Sequence, residues 1–235
     1  MRGLTMELSI SHPALLAISD EDPSRSFFGG AQEWYSTEWS RRAGCGPTCA
    51  SNILAYLALT RPALLPLYGY EGMGRADFAR HMEDVYPHLT PGSAGLNRVE
   101  LFSDGVVAYA GERGILLEPH VLALPGRMTW GRPVVSRLAE FIKAGLTSDC
   151  PVGFLNLHRG KEKNLQSWHW VTIVGAELGE DKLMVTVSDE GRQIELDLRL
   201  WYQTTPMRGA LAYFTETSAA APQLDTGNAK DAKAP

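Results

Sequence analysis

Cysteine is scarce in this chain, with three in 235 residues, at positions 45, 49 and 150. An odd number at this spacing builds no disulfide framework and suits a reducing compartment. There is neither a Cys-x-x-Cys pair for thiol exchange nor two closely spaced pairs for zinc. Cationic residues are outnumbered too: 22 Lys and Arg against 27 Asp and Glu leave a net charge of −5, and no basic run stands out beyond Arg41-Arg42. That balance disfavours nucleic acid and an anionic membrane surface as partners. Long apolar runs are also missing. Met1-Arg2-Gly3-Leu4-Thr5-Met6-Glu7 lacks the core of a signal peptide, and Pro13-Ala14-Leu15-Leu16-Ala17-Ile18 is too short to span a bilayer, so a cytoplasmic location is expected.

With 44% hydrophobic and 21% charged residues, the composition is that of an ordinary globular protein, and the length allows one sizeable core. Within it one stretch stands out: Gly44-Cys45-Gly46-Pro47-Thr48-Cys49-Ala50-Ser51-Asn52-Ile53-Leu54-Ala55-Tyr56-Leu57. Pro47 is tolerated in a first helical turn, where its missing N–H has no intrahelical partner to lose, and Ala, Leu, Ile and Tyr continue the helix. This seats Cys45 at a helix start, where unpaired amides and the positive end of the helix dipole favour the thiolate. The flanking Gly44 and Gly46 suggest an uncluttered approach. One turn on, Cys49 shares a face with Ile53 and Leu57 and reads as a core thiol.

Taken in order, residues 1 to 30 read as an irregular or weakly extended N-terminal arm with an acidic stretch at Asp20-Glu21-Asp22-Pro23 and a turn at Gly29-Gly30. Residues 31 to 216 read as a single catalytic domain. It opens on an aromatic-rich segment, Gln32 to Ser40, which is either a packing plug or part of the site. Helices are expected from about Pro47 to Leu59, Asp77 to Val85, Arg98 to Arg113 and Pro133 to Ala144, with an extended segment over Ile115 to Leu124. From Pro151 on, the segments are short and β-rich: Val152 to Leu157, Trp168 to Val174, Leu183 to Asp189, Gln193 to Leu196 and Ala210 to Phe214, with a short helix around Trp201-Tyr202-Gln203. Turn signals at Arg159-Gly160, Gly179-Glu180-Asp181 and Glu190-Gly191 point to an antiparallel sheet. A helical first half on a β-rich second half is an α+β fold, expected as two layers facing each other across a cleft. From Thr217 to Pro235 the composition collapses to small and polar residues, read as a disordered tail.

A thiol at a helix start needs a general base, usually a histidine oriented by a third polar group. His169 opens one predicted strand and Asp189 ends the next. Antiparallel strands joined by a hairpin place the start of one beside the end of the other, so the two are expected as neighbours. The carboxylate then accepts a hydrogen bond from one ring nitrogen and leaves the other for the thiol. His158, at a strand end before a polar loop, is the reserve base.

These residues resemble the papain-like cysteine peptidase superfamily, in particular its bacterial branch similar to the bacteriocin-processing peptidases that cut after double-glycine leaders. Cys45-Gly46-Pro47-Thr48 opening a helix, His169 opening a strand ahead of Gly175, and Asp189 ending the following strand carry the resemblance over roughly residues 32 to 215. It implies a papain-like fold, with the helical half bearing the nucleophile packed on a mainly antiparallel sheet. It also implies a cofactor-free, metal-free thiol hydrolase acting on a peptide or related amide. Cys45 would be nucleophile, His169 base and then acid, and Asp189 the orienting residue. Gln32, thirteen residues upstream of Cys45, would be the oxyanion donor, with Ser40 or the Trp39 indole as substitutes. The alternatives are a catalytically silent papain-like domain binding a peptide or protein, and an acyl transferase on the same triad.

Overall fold

The computed structural model describes residues 5–217. In chain order the elements are β1 (Met6–Ser9), β2 (Ala17–Ser19), β3 (Ser26–Phe28), α1 (Glu38–Ala43), α2 (Cys45–Thr60), α3 (Arg75–Val85), α4 (Val99–Glu112), β4 (Leu117–Leu124), α5 (Val135–Thr147), β5 (Val152–Asn156), β6 (His169–Leu178), β7 (Leu183–Asp189), β8 (Arg192–Asp197), α6 (Leu198–Thr204) and β9 (Gly209–Glu216). The main sheet is antiparallel throughout, in the order β4-β9-β5-β6-β7-β8, with β1 pairing the far half of β6. β2 and β3 form a separate two-stranded ribbon.

Helix α2 is the central element. It is buried from Gly46 to Ala58 on every side, not along a single face, because it lies between the sheet and the other helices of its layer. The expected face of Cys49, Ile53 and Leu57 is therefore only one part of its contact surface. A buried polar network fastens it to the sheet: Asn52 Nδ2 donates to Thr172 Oγ1 on β6 and Ser188 Oγ on β7, at 3.2 and 3.3 Å. At its C-terminal end Arg61 donates to the carbonyls of Ser148 and Asp149, both at 3.0 Å.

Two expectations are revised. The sheet has helices on both faces, giving three layers where two were expected. A Cβ at Gly153 of β5 would meet Cys49 and Phe102 on one side. On the other side, Val152 touches the backbone position of Gly145 in α5 and Phe154 packs edge-on against Trp201 of α6. β5 is buried on both faces for that reason.

The stretch expected to be an irregular or weakly extended arm forms three short strands, and part of it is built into the core. Ile10, Leu16 and Ile18 are 1% exposed or less, and β1 extends the sheet. The arm's polar residues mask a short apolar set whose partners include β6, more than 150 residues away, where the Ile10 amide donates to the Val174 carbonyl at 3.0 Å. The expected tail lies outside the described residues from residue 218 on. Among the described residues no helix is long and apolar enough to cross a membrane.

Candidate active site

α1 and α2 meet at Gly44, the residue before Cys45. A Cβ there would lie 2.3 Å from the Ser40 carbonyl and 2.5 Å from the Tyr35 ring, and one at Gly46 would lie 2.7 Å from Leu96. The two glycines are thus required because neighbouring groups crowd the backbone, not because the approach to the thiol is open. Cys45 itself is half-buried at the first position of α2. The first-turn amides of Cys45 and Gly46 have no intrahelical acceptor, and Pro47 has none to offer.

His169 opens β6 and Asp189 closes β7, as the hairpin argument requires, and His169 Nε2 lies 2.6 Å from Asp189 Oδ1 with both side chains buried. The Cys45 thiol stands against the same imidazole. Burial, the largest single influence on His169, pulls its pKa down. The hydrogen bond to Asp189 and the proximity of Cys45 together outweigh it and raise the pKa to about 10. An imidazolium is therefore the favoured form of this ring, which is the state an ion pair with a thiolate needs.

Cys49 is fully buried, its thiol donating to the Val171 carbonyl at 3.3 Å, and burial pushes its pKa up to about 12. It is an inert thiol one turn below Cys45. Cys150 sits beside Arg61 at the opposite end of α2, about 24 Å along the helix from Cys45 at 1.5 Å per residue, so the three cysteines share no site. His158 is locked in its own turn, with Nδ1 accepting from the Gly160 amide at 2.9 Å.

Gln32 lies in a short 3-10 turn, Gln32–Trp34. Its backbone N–H donates to Glu190 Oε2 at 3.1 Å, which holds it beside the end of β7. Its side-chain Oε1 is buried without a partner. The two substitute donors are committed elsewhere: the Trp39 indole donates to the Pro91 carbonyl at 3.3 Å and Ser40 Oγ to the Thr37 carbonyl at 3.0 Å.

A groove of about 400 Å³ opens onto Cys45, walled by Trp39 and Trp168 and floored by Leu96, Leu155 and Trp170. The tryptophans therefore line the cleft and do not plug it. Trp170 stacks on Phe102 at 4.1 Å between ring centroids, and its indole donates to the Leu96 carbonyl at 2.6 Å, pinning the 91–97 loop at the groove edge. Trp34, by contrast, packs away from the cleft against Phe27 and Phe78.

Among the described residues, three besides glycines have positive φ, and two of them flank the histidine and the aspartate: Trp168 at +57° and Glu190 at +48°. Such strain concentrates where a structure is constrained by function. Sequence reading missed Asn52, Ser188 and the role of Glu190. Asn52 offered no signal, because a polar residue in a helix gives no sign of a partner on a distant strand. Glu190 offered one, since glutamate is an unusual first residue for a two-residue hairpin turn.

No protein-family model and no curated protein matches the chain. Among solved structures, UfSP from C. elegans is similar in fold, with a TM-score of 0.53 and 12% identity over 92% of this chain. The Pseudomonas avirulence protein AvrPphB matches at a TM-score of 0.33 and 13% identity over 71% of this chain and 90% of that one. This chain covers 35% of the length of UfSP. Helices packed on an antiparallel sheet are the α+β architecture expected from the sequence, and the likeness to UfSP is one of fold alone.

Proposed function

We propose that the protein is a thiol hydrolase of peptide or related amide bonds, with Cys45 as nucleophile, His169 as general base and then acid, and Asp189 orienting the imidazole. One observation carries the reading: a half-buried thiol at a helix N-terminus stands against a buried histidine whose far nitrogen is held 2.6 Å from a carboxylate. Attack by the Cys45 thiolate on the amide carbon forms the acyl-enzyme as His169 gives its proton to the leaving amine. Water then attacks with His169 as base, and the thiolate leaves. The oxyanion is met by the Cys45 amide and the uncommitted Gln32 side chain, one such donor being worth about 10²–10³ in turnover.

The open groove with its aromatic walls supports a substrate held as an extended chain, and favours catalysis over a silent binding domain. An acyl transferase would use the same acyl-enzyme with another nucleophile. The finer assignment, to a branch similar to the bacteriocin-processing peptidases, rests on the Cys45-Gly46-Pro47-Thr48 motif and on the order of the three residues. It predicts cleavage after paired glycines.

The test is labelling with a thiol-directed electrophile, the modified residue being located by peptide mass. Cys45 is expected to react at pH 6 at least tenfold faster than a free thiol, as an ion pair with His169 requires, and His169→Ala abolishes the advantage. A Cys45 that reacts no faster than glutathione, with or without His169, overturns the reading.

A further inference from the structure

The hairpin between β7 and β8 turns on two residues, Glu190 at φ +48° and Gly191 at φ +73°, a type I′ turn. Asn, Asp or Gly normally takes the first place, because a longer side chain in the left-handed region crowds its own carbonyl. Glu190 stays there with its carboxylate turned inward. Oε2 accepts the Gln32 amide proton, and the ligating atoms of His169, Asp189 and Glu190 all lie within 4.8 Å of one another. The surrounding backbone holds this arrangement from the other side. Gly191 N–H donates to the Gly30 carbonyl at 3.0 Å, and the Gly191 carbonyl accepts from Phe28 N–H at 2.8 Å.

Burial raises the Glu190 carboxyl above its ordinary range, while His169 opposes that shift. Asp189 and, more weakly, Glu33 add to it, and the Gln32 amide counters it. A solvent-facing turn glutamate would have none of these neighbours.

We propose that Glu190 is a positioning residue of this site. Its carboxylate ties the segment carrying Gln32 to the hairpin carrying Asp189, and it sets a second negative charge beside His169. The inference rests on the thiol-hydrolase reading of Cys45 and His169. With Glu190 ionised, the imidazolium of His169 is favoured over neutral imidazole, so the ring keeps its proton to higher pH. No proton is transferred to or from Glu190 in the reaction, and it touches no reacting atom.

The experiment is the pH dependence of Cys45 alkylation by iodoacetamide in the full chain, for the wild type, Glu190→Gln and Glu190→Asn, each with a thermal melt. Glu190→Gln keeps an acceptor for the Gln32 amide and removes the charge. Glu190→Asn gives the turn its preferred Asn-Gly pair and also removes the charge, so it is expected to melt no lower than the wild type. Both are expected to move the upper limb of the rate profile, where His169 gives up its proton, down by about one pH unit. A limb that stays in place in both variants, whatever the melting temperatures, overturns the proposal and leaves the thiol-hydrolase reading intact. A wild-type Cys45 no more reactive than glutathione overturns both.

Discussion

At the scale of single residues, His169 is decided by a contest between burial and charge. An imidazole sealed from water is normally neutral, yet Asp189 at 2.6 Å and the adjacent thiol raise it to about 10. Its folded pKa lies above the ordinary value near 6.5, so the stability it contributes is fully present below about pH 6.5 and is lost as pH rises toward 10. The melting temperature of the wild type relative to His169→Gln is therefore expected to be greatest near pH 6 and to shrink steadily between pH 7 and 10. A gap that widens with pH contradicts the assignment. Cys45, His169 and Asp189 were legible in the sequence because each is a chemically distinctive residue at the end of an element whose period is readable. Glu190 was not, because Glu-Gly between two strands reads only as a turn, and its burial depends on Gln32 being brought in from 158 positions away.

At the scale of elements, most of the helices and strands follow from their periodicity, with ends displaced by a few residues. What periodicity could not give is how completely α2 is enclosed. One of the elements enclosing it is α3, which turns Phe78, His81, Met82 and Val85 inward. His81 Nε2 lies 3.1 Å from the Ser51 carbonyl of α2, and burial lowers its pKa to about 4 against a weaker opposing effect of that hydrogen bond. The sign is opposite to that of His169. Between pH 6.5 and 4 the unfolded chain takes up a proton that the folded chain refuses, so stability is complete above 6.5 and falls as pH drops through that window, at up to about 1.4 kcal/mol per unit. Urea titrations of wild type and His81→Met are expected to diverge in slope there, the variant losing less on acidification. Parallel slopes would count against a buried neutral His81.

At the scale of the whole molecule, the N-terminal residues are both core and scaffold. Ile10, Leu16 and Ile18 are fully buried, each worth about 2 kcal/mol, which together is comparable to the net stability of a whole domain. Gly30, where this segment ends, donates its amide to Asn52 Oδ1 at 2.8 Å and leads directly into Gln32. A chain lacking residues 1–30 is accordingly expected to lose its near-ultraviolet circular dichroism and accumulate as insoluble protein. A truncated chain that keeps a cooperative melt would show the segment to be dispensable. By itself the sequence determined the α+β class, the helix that presents Cys45 and the hairpin that joins His169 to Asp189, since local period and turn chemistry are written in adjacent residues. Only the tertiary structure decided that Ile10, Leu16 and Ile18 belong to the core, that Trp39 and Trp168 wall an open groove, and that Glu190 faces the histidine. Those facts depend on which distant surfaces exclude water from one another, and no local pattern encodes that.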